Sequence, residues 1–180
     1  PNLPATVSFL VSGKVVSVEP REGEYVEKGH VLATIDPTDY QLALAAAKAQ
    51  TGMAEVAYKR AEDEHRRMKM LYDSKSLAPN DYEKFRAAFD SAARQHEQAV
   101  ASEKLSRKRL ADATLLAPTS GYIAKRLIEP GDTAGQGHPV FEIVQMDPVE
   151  VSVGIPETDV HLVSLGQKAA ITVPALPGTS

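Results

Sequence analysis

The sequence predicts an α+β fold, in which a small β-sandwich is interrupted by a long antiparallel α-helical hairpin and is followed by the start of a further β domain. Two observations lead to this prediction. A short glycine-containing pattern occurs twice, 108 residues apart, as at Gly13 and Gly121. Nearly all of the sequence between the two copies favours helix. Neither copy can bury a core alone, so the copies must pair, and the segment between them must leave and return at one place.

The two copies share a serine, three glycines, a histidine and an isoleucine at identical spacings. Alternating apolar residues such as Val7, Phe9 and Val11 predict short strands around them. We expect the shared glycines to be structural turn residues, because glycine adopts positive φ at little cost. The repeated residues are Ser12, Gly13, Gly23, Gly29, His30 and Ile35 in the first copy, and Ser120, Gly121, Gly131, Gly137, His138 and Ile143 in the second.

The first helix is predicted from about residue 39 to residue 73, a run with no proline and one glycine. Thr38 and Gln41 form a capping-box pattern at its start. At 1.5 Å per residue such a helix is about 50 Å long. Its alanine-rich contact face lets a second helix approach closely, and it changes by one residue part-way along. That face is predicted to be Leu42, Ala46, Ala49, Met53 and Val56, then Ala54, Ala57, Ala61, Met68 and Leu71.

The second helix is predicted to begin after a break at residues 74–79, with Asn80 and Glu83 as another capping pattern. It is expected to run to about Leu116, because Ala117 and Pro118 end it. Its apolar residues recur at intervals of three and four, so one face packs on the first helix. That face consists of Tyr82, Phe85, Phe89, Ala92, His96 and Ala99.

The last part of the chain has a different pattern. Val149, Val151, Val153 and Ile155 alternate with polar or small residues, as in a half-buried strand, and we interpret this stretch as the start of a further β domain. The predicted boundaries are 1–37 and 117–147 for the two halves of the sandwich, 38–116 for the hairpin with its tip at about 73–80, and 148–180 for the partial β domain.

The composition argues against several classes of function. The 180-residue chain has a formal net charge of −4, which gives no electrostatic reason to expect nucleic acid as a partner. It contains no cysteine, so disulfides, thiolate zinc sites and cysteine nucleophiles are excluded. No nucleophile–base–acid set and no phosphate-binding loop can be assembled. We expect no enzyme activity and no catalytic or cofactor-binding residues.

A metal site is not expected either. The histidines form no His-x-His pair and no His-x3-His pair on one helix face. They are His30, His65, His96, His138 and His161.

Several segments, taken together, resemble one known family. Two half-motifs of the form SG-x-V…G-x-x-V-x-x-G-x-x-L resemble the halves of a biotinyl/lipoyl domain. The stretch from Thr114 to Gly121 is similar to the T-x-x-A-P-x-x-G segment of HlyD-type periplasmic adaptors, also called membrane fusion proteins. Residues 156–160 and 165–169 resemble the first part of that family's β-barrel domain. The resemblance implies a split lipoyl-like β-sandwich around the hairpin, followed by the start of a β-barrel domain.

The resemblance also implies a function. Such adaptors link an inner-membrane efflux transporter, here of the RND type, to an outer-membrane channel of the TolC type. They work in the periplasm of Gram-negative bacteria as homo-oligomeric rings of three or six subunits, with the full-length protein associated with the inner membrane. No cofactor is implied.

A docking site at the hairpin tip is the most specific expectation that the resemblance carries. In the family the tip has the pattern R-x3-L-x6-S. Arg67 and Leu71 match the first two positions, and Ala78 stands where the family has serine. With Leu77, these residues form the expected channel-docking site, without the hydrogen bond that a serine offers.

Two alternatives share part of this evidence. A biotinyl/lipoyl carrier domain has the same half-motifs, and the sequence Met68-Lys69-Met70 is similar to the one that carries biotin. Carrier chemistry needs that lysine on a tight turn between the halves, whereas here it falls inside a predicted helix. The other alternative is an adaptor for an ABC-type exporter or a secretion system. The modest length of the hairpin favours a pump for small molecules.

Overall fold

The computed structural model describes residues 4–145 and residue 154. The predicted β domain at 148–180, with His161, lies outside the described residues apart from Gly154. The elements follow one another as β1 Ala5–Ser8, β2 Gly13–Val18, β3 Tyr25–Val26, β4 Val31–Ile35, α1 Thr38–Asp73, α2 Pro79–Ala111, β5 Thr114–Leu116, β6 Gly121–Arg126, β7 Thr133–Ala134 and β8 Pro139–Val144.

The strands form two four-stranded antiparallel sheets, with the strand orders β1-β8-β6-β3 and β5-β4-β2-β7. Each sheet takes strands from both copies of the repeat. A shift of 108 residues turns one strand order into the other, so the two halves are related by an approximate twofold. The N–H of Gly23 donates to the carbonyl of Ile123, and the equivalent N–H of Gly131 donates to that of Val15, both at 2.8 Å. The predicted pairing of the two copies into one sandwich is confirmed.

The core of the sandwich also comes from both halves. Equivalent residues such as Ile35 and Ile143 are fully buried, and the two sheets enclose the large rings of Phe9 and Phe141. Burying these side chains is worth about 1.5–3 kcal/mol each, which neither half obtains alone. The sandwich is therefore stabilised by contacts between its two halves, and the hairpin extends from it.

One predicted boundary is wrong. The return helix ends at Ala111 rather than near Leu116, and Thr114–Leu116 forms strand β5 on the edge of β4. This strand is the equivalent of β1, again 108 residues later. The match of Thr6 with Thr114, and of Val7 with Leu115, is the sequence signal that identifies β5 as part of the repeat.

The hairpin is inserted where β4 and β5 meet. The N–H of Ile35 donates to the carbonyl of Ala113 at 2.8 Å, so the two ends of the insertion are hydrogen-bonded neighbours. The hydroxyl of Tyr40 donates to the carbonyl of Ser12 at 2.6 Å and ties the first turn of α1 to the sandwich.

The two predicted capping boxes are also wrong. The N-cap of α1 is Pro37, which offers no side-chain cap. Oδ1 of Asp36, the residue before it, accepts hydrogen bonds from the N–H of Thr38 at 3.0 Å and from the hydroxyl of Thr38 at 2.6 Å, and so satisfies the first N–H of the helix. Helix α2 begins at Pro79 with no side-chain cap, and Glu83 pairs with Arg86 rather than reaching back. A proline at the first helical position has no N–H that needs a partner, which makes the start of α2 tolerant of a missing cap.

Candidate functional site

The two helices contact each other along a regular seam, the face on which α1 and α2 pack. Six rings interleave there, three from each helix at seven-residue intervals. Neighbouring rings in the series have centroids 4.6–5.7 Å apart. Stacked rings of this kind hold two helices in one register. In order from the tip towards the sandwich, the rings are Tyr72, Tyr82, His65, Phe89, Tyr58 and His96.

The predicted seam is confirmed on α2, where all six residues of the expected face are buried or half-buried. On α1 it is wrong in its first half, because Leu42, Met53 and Val56 are 65%, 62% and 70% exposed. In the second half Ala57 and Leu71 are exposed as well. The seam of α1 keeps a single heptad pattern throughout, formed by Tyr40, Leu44, Ala47, Thr51, Ala54, Tyr58, Ala61, His65 and Met68.

The turn at the tip is closed by backbone hydrogen bonds. After α1, the N–H of Lys75 donates to the carbonyl of Tyr72 at 2.9 Å, and the N–H of Ser76 donates to that of Leu71 at 2.8 Å. This is a Schellman motif, which satisfies carbonyls that the helix end leaves without partners. Lys75 has φ of 61°, a left-handed conformation that is usually taken by glycine at this position of the motif. Because lysine stands there instead, the turn itself carries a long cationic side chain.

Ala78 lies at the N-cap of α2, with φ of −67° and ψ of 145°. Its place at the N-cap suggests a structural reason for the serine of the family pattern. A serine hydroxyl at this position accepts a hydrogen bond from the second or third N–H of the helix. Alanine cannot do so, and its side chain is exposed.

The four expected tip residues occupy two neighbouring areas. Leu77 and Ala78 line an open depression at the turn, together with Tyr72, Lys75 and Pro79. Arg67 and Leu71 lie one helical turn apart near the end of α1, and both are exposed. We call these four residues, Arg67, Leu71, Leu77 and Ala78, the tip surface.

Arg67 differs from the basic residues next to it. Arg66 pairs with Asp63, and Lys69 pairs with Asp73 at 2.9 Å. Arg67 has no ion pair with any residue of the described part of the chain. An exposed guanidinium without an internal partner is available to a carboxylate or carbonyl of another protein.

The repeated glycines have two different geometries. Gly23, Gly29, Gly131 and Gly137 have φ of 82°, 87°, 101° and 77°. The expectation of turn residues needs correction at Gly13 and Gly121, which open the strands β2 and β6. A Cβ on Gly13 would lie 2.5 Å from Cγ2 of Ile35, and one on Gly121 would lie 2.7 Å from the carbonyl oxygen of Val144. At these two positions close packing, rather than backbone freedom, requires glycine.

The remaining candidates are placed as follows. Lys69, the lysine of the biotin-like motif, lies inside α1 one turn before its end. Within residues 4–145, no three histidine, aspartate or glutamate side chains form a metal-binding group. None of the helices that the structure describes is long and apolar enough to cross a membrane.

Comparisons with known proteins agree on one family. Residues 4–146 match the family described as RND MFP, barrel-sandwich hybrid domain, where MFP stands for membrane fusion protein. The chain is 31% identical over 169 residues to the multidrug resistance protein MdtA of Xenorhabdus bovienii, a match that covers 91% of this chain and 40% of MdtA. The chain thus spans about two fifths of the length of this curated relative.

Two solved structures show the same fold. ZneB from Cupriavidus metallidurans has a TM-score of 0.54 at 21% identity, over 81% of this chain and 66% of its own. The periplasmic adaptor protein EmrA has a TM-score of 0.50 at 18% identity, over 79% of this chain and 72% of its own. Because the family match covers most of the sequence, and the split sandwich with its helical hairpin is the fold of these neighbours, the chain belongs to the RND membrane fusion proteins through their barrel-sandwich hybrid domain.

Proposed function

We propose that the chain is part of a periplasmic adaptor, without enzyme activity, that joins an inner-membrane efflux transporter of the RND type to an outer-membrane channel of the TolC type. The family match supports the RND transporter over an ABC-type exporter or a secretion system. The relative MdtA, a multidrug resistance protein, supports efflux of small molecules. The substrate itself need not contact this part of the protein.

The observation that carries the proposal is the hairpin and its exposed tip. Helix α1 has 36 residues, so the tip stands about 50 Å from the sandwich. The ring series along the seam gives this arm the stiffness that a spacer needs. The tip surface combines the side chains of Leu71 and Leu77 with the guanidinium of Arg67, which has no ion pair in the described part of the chain. Apolar side chains together with arginine are typical of a contact with another protein.

In this mechanism the sandwich holds the base of the hairpin, and the hairpin spans the distance to the channel. Several copies in a ring of three or six present several tip surfaces to one channel. Each contact can then be weak, because the copies raise one another's effective concentration at the channel. Leu71 and Leu77 supply apolar area, and Arg67 supplies a charge-assisted hydrogen bond to the channel.

The test uses a photo-crosslinker at Lys75 of the whole protein in cells, and compares the otherwise native chain with Arg67→Ala and Arg66→Ala. A hydrogen bond to a charged group is worth about 1.5–3 kcal/mol, so we expect Arg67→Ala to lower the capture of an outer-membrane channel about tenfold or more. Arg66→Ala should leave capture unchanged, because Arg66 is already paired with Asp63.

Two results would count against the proposal. Equal losses in both variants would mean that only the net positive charge of the tip matters, and that Arg67 has no specific role. No captured channel in any of the three proteins, when all are folded and exported, would remove the channel from the mechanism.

A further inference from the structure

A second apolar stripe runs along α1, on the side away from α2. It consists of exposed residues two positions away from the seam residues, which places them about 200° around the helix. An amphipathic helix normally has one apolar face, and here that face is already used by the seam. We call this stripe, Leu42, Ala46, Ala49, Met53 and Val56, the outer stripe of α1.

Beyond the outer stripe, towards the tip, α1 carries charges of alternating sign at Arg60, Glu64 and Arg67. Arg60 and Arg67 are exposed on the outside of the helix, and Glu64 is half-buried between them and the seam. The outside of α2 carries the opposite series at comparable heights, Glu97, Arg94 and Asp90. None of these six side chains has an ion pair within the described residues, although most other charges of the helices do. The three charges of α1 form no ion pair with the three charges of α2 within one copy.

We propose that the outside of α1 in one copy of this chain packs antiparallel against the outside of α2 in a second copy, in one defined register. In that register Arg60 faces Glu97, Glu64 faces Arg94 and Arg67 faces Asp90, each positive opposite a negative. The same register brings together exposed apolar side chains nearer the sandwich. It places Val56 opposite Ala101 and Met53 opposite Leu105, which is 50% exposed.

The agreement of these pairs carries the inference. In two antiparallel helices, residues that face each other have numbers with a constant sum, because the numbers rise along one helix as they fall along the other. The sum is 157 or 158 for every proposed pair, so a single placement of the two helices brings all of the pairs together. Within one chain the ring pairs Tyr58–His96, His65–Phe89 and Tyr72–Tyr82 add up to 154. The contact between copies is thus displaced from the contact within a copy by three to four residues, about one helical turn or 5 Å.

This inference rests on the proposed function, since it assigns the lateral contact between neighbouring hairpins of the proposed ring. It adds which faces meet, in what register, and what specifies that register. Charge complementarity selects the partner and the register, because a slip of one turn sets like charges against each other. Arg67 also belongs to the tip surface. Its guanidinium has five N–H donors, so it can pair with Asp90 of the second copy and still donate to a channel. Because it has both roles, the test leaves it unchanged.

The test uses cysteine crosslinking in the whole protein, expressed in cells as two copies with different tags. The described hairpin contains no cysteine, so engineered pairs form no competing disulfides there. One copy carries Val56→Cys and the other carries Ala101→Cys. The matched control pairs Val56→Cys with Gln98→Cys. These two numbers add up to 154, the sum found for the ring pairs within one chain, so the control is displaced from the proposed register by one turn. We expect a disulfide between copies at least fivefold more abundant for the first pair, because the control sulfurs are one turn out of step.

A charge exchange tests the register separately. Arg60→Glu should reduce the crosslink several-fold, and Arg60→Glu combined with Glu97→Arg should restore it by exchanging the signs across the contact. Equal crosslinking in both registers, or no restoration by the exchange, would overturn the proposed interface. The Lys75 photo-crosslinker is read in the same cells. Channel capture without the disulfide would refute the interface alone, and the disulfide without channel capture would support the interface and count against the proposed function.

Discussion

Glycine serves two purposes in the two halves of the sandwich, and they have different consequences for mutation. At Gly23, Gly29 and their equivalents the backbone has positive φ and the space beside it is open. At Gly13 and Gly121 the backbone is ordinary but a neighbouring strand leaves no room for a Cβ. Both purposes are compatible with the same repeated sequence, because spacing alone does not distinguish a turn from a tight contact.

We predict that Gly121→Ala destabilises the protein and that Gly52→Ala does not. The new Cβ at position 121 would lie 2.7 Å from the backbone oxygen of Val144 and 2.9 Å from Cγ2 of Ile143, so the strands must shift at a cost of about 1–3 kcal/mol. Gly52 lies inside α1, and a Cβ added there would meet nothing within 4 Å, so alanine should stabilise the helix by about 0.5–1 kcal/mol.

Urea unfolding of the two variants gives the free energy of unfolding that this comparison needs. Gly52→Ala is the matched control, since it adds the same methyl group elsewhere in the chain. A Gly121→Ala protein as stable as the parent would mean that β6 and β8 can separate without cost at that point.

The hairpin shows why sequence reasoning succeeded for one helix and failed for the other. On α2 the bulky residues Phe85 and Phe89 lie on the seam, so the apolar stripe and the seam coincide. On α1 the seam is made largely of Tyr58, His65 and small residues, while larger aliphatic side chains such as Val56 lie outside. A hydrophobicity pattern predicts that the aliphatic stripe forms the seam of α1. In the structure the rings of α2 instead stack with Tyr58 and His65, so the face that carries these two residues forms the seam.

The start of α1 depends on a charge, and we predict a pH dependence that follows from it. The hydrogen bonds from the side chain and then the backbone of Thr38 hold the pKa of Asp36 below its ordinary value of 3.8. A carboxyl whose pKa is lowered by folding stabilises the folded state when it is ionised. This contribution is therefore present above the pKa of the unfolded chain, and it is lost as the pH falls through the lower pKa of the folded protein.

The measurement is the free energy of unfolding of the native chain and of Asp36→Asn between pH 7 and the acid range. The variant should be the less stable at neutral pH, because a neutral amide interacts less favourably with the start of the helix. The two curves should converge as Asp36 becomes protonated. A difference that stays constant down to the lowest pH would show that the charge of Asp36 does not stabilise the start of α1.

At the scale of the whole molecule, the architecture follows from a repeat that has been divided by an insertion. The 108-residue spacing predicts that the halves pair, and it was sufficient for the fold class. It could not give the strand orders, because the exchange of strands between the sheets depends on hydrogen bonds such as Gly23 to Ile123. The tip residues Arg67 and Leu71 came from a family pattern. That Arg67 has no ion pair within the described residues follows only from the structure, where Arg66 pairs with Asp63 and Lys69 pairs with Asp73.

Because Ile35 and Ala113 are hydrogen-bonded neighbours, we predict that the sandwich folds without its hairpin. Replacing residues 37–111 with Asn-Gly would connect β4 to β5 through a two-residue turn of the kind that suits antiparallel strands. The product should unfold cooperatively but with lower stability, since it loses Tyr40, which packs against the core of the sandwich, and is small for an independent domain. Denaturant unfolding followed by circular dichroism, together with amide dispersion in NMR spectra, measures this.

Phe141→Ala in the shortened protein is the control, because removing a fully buried ring from so small a core should abolish folding. A shortened protein without a cooperative transition would show that the hairpin is required to hold the two halves together, rather than being carried by them.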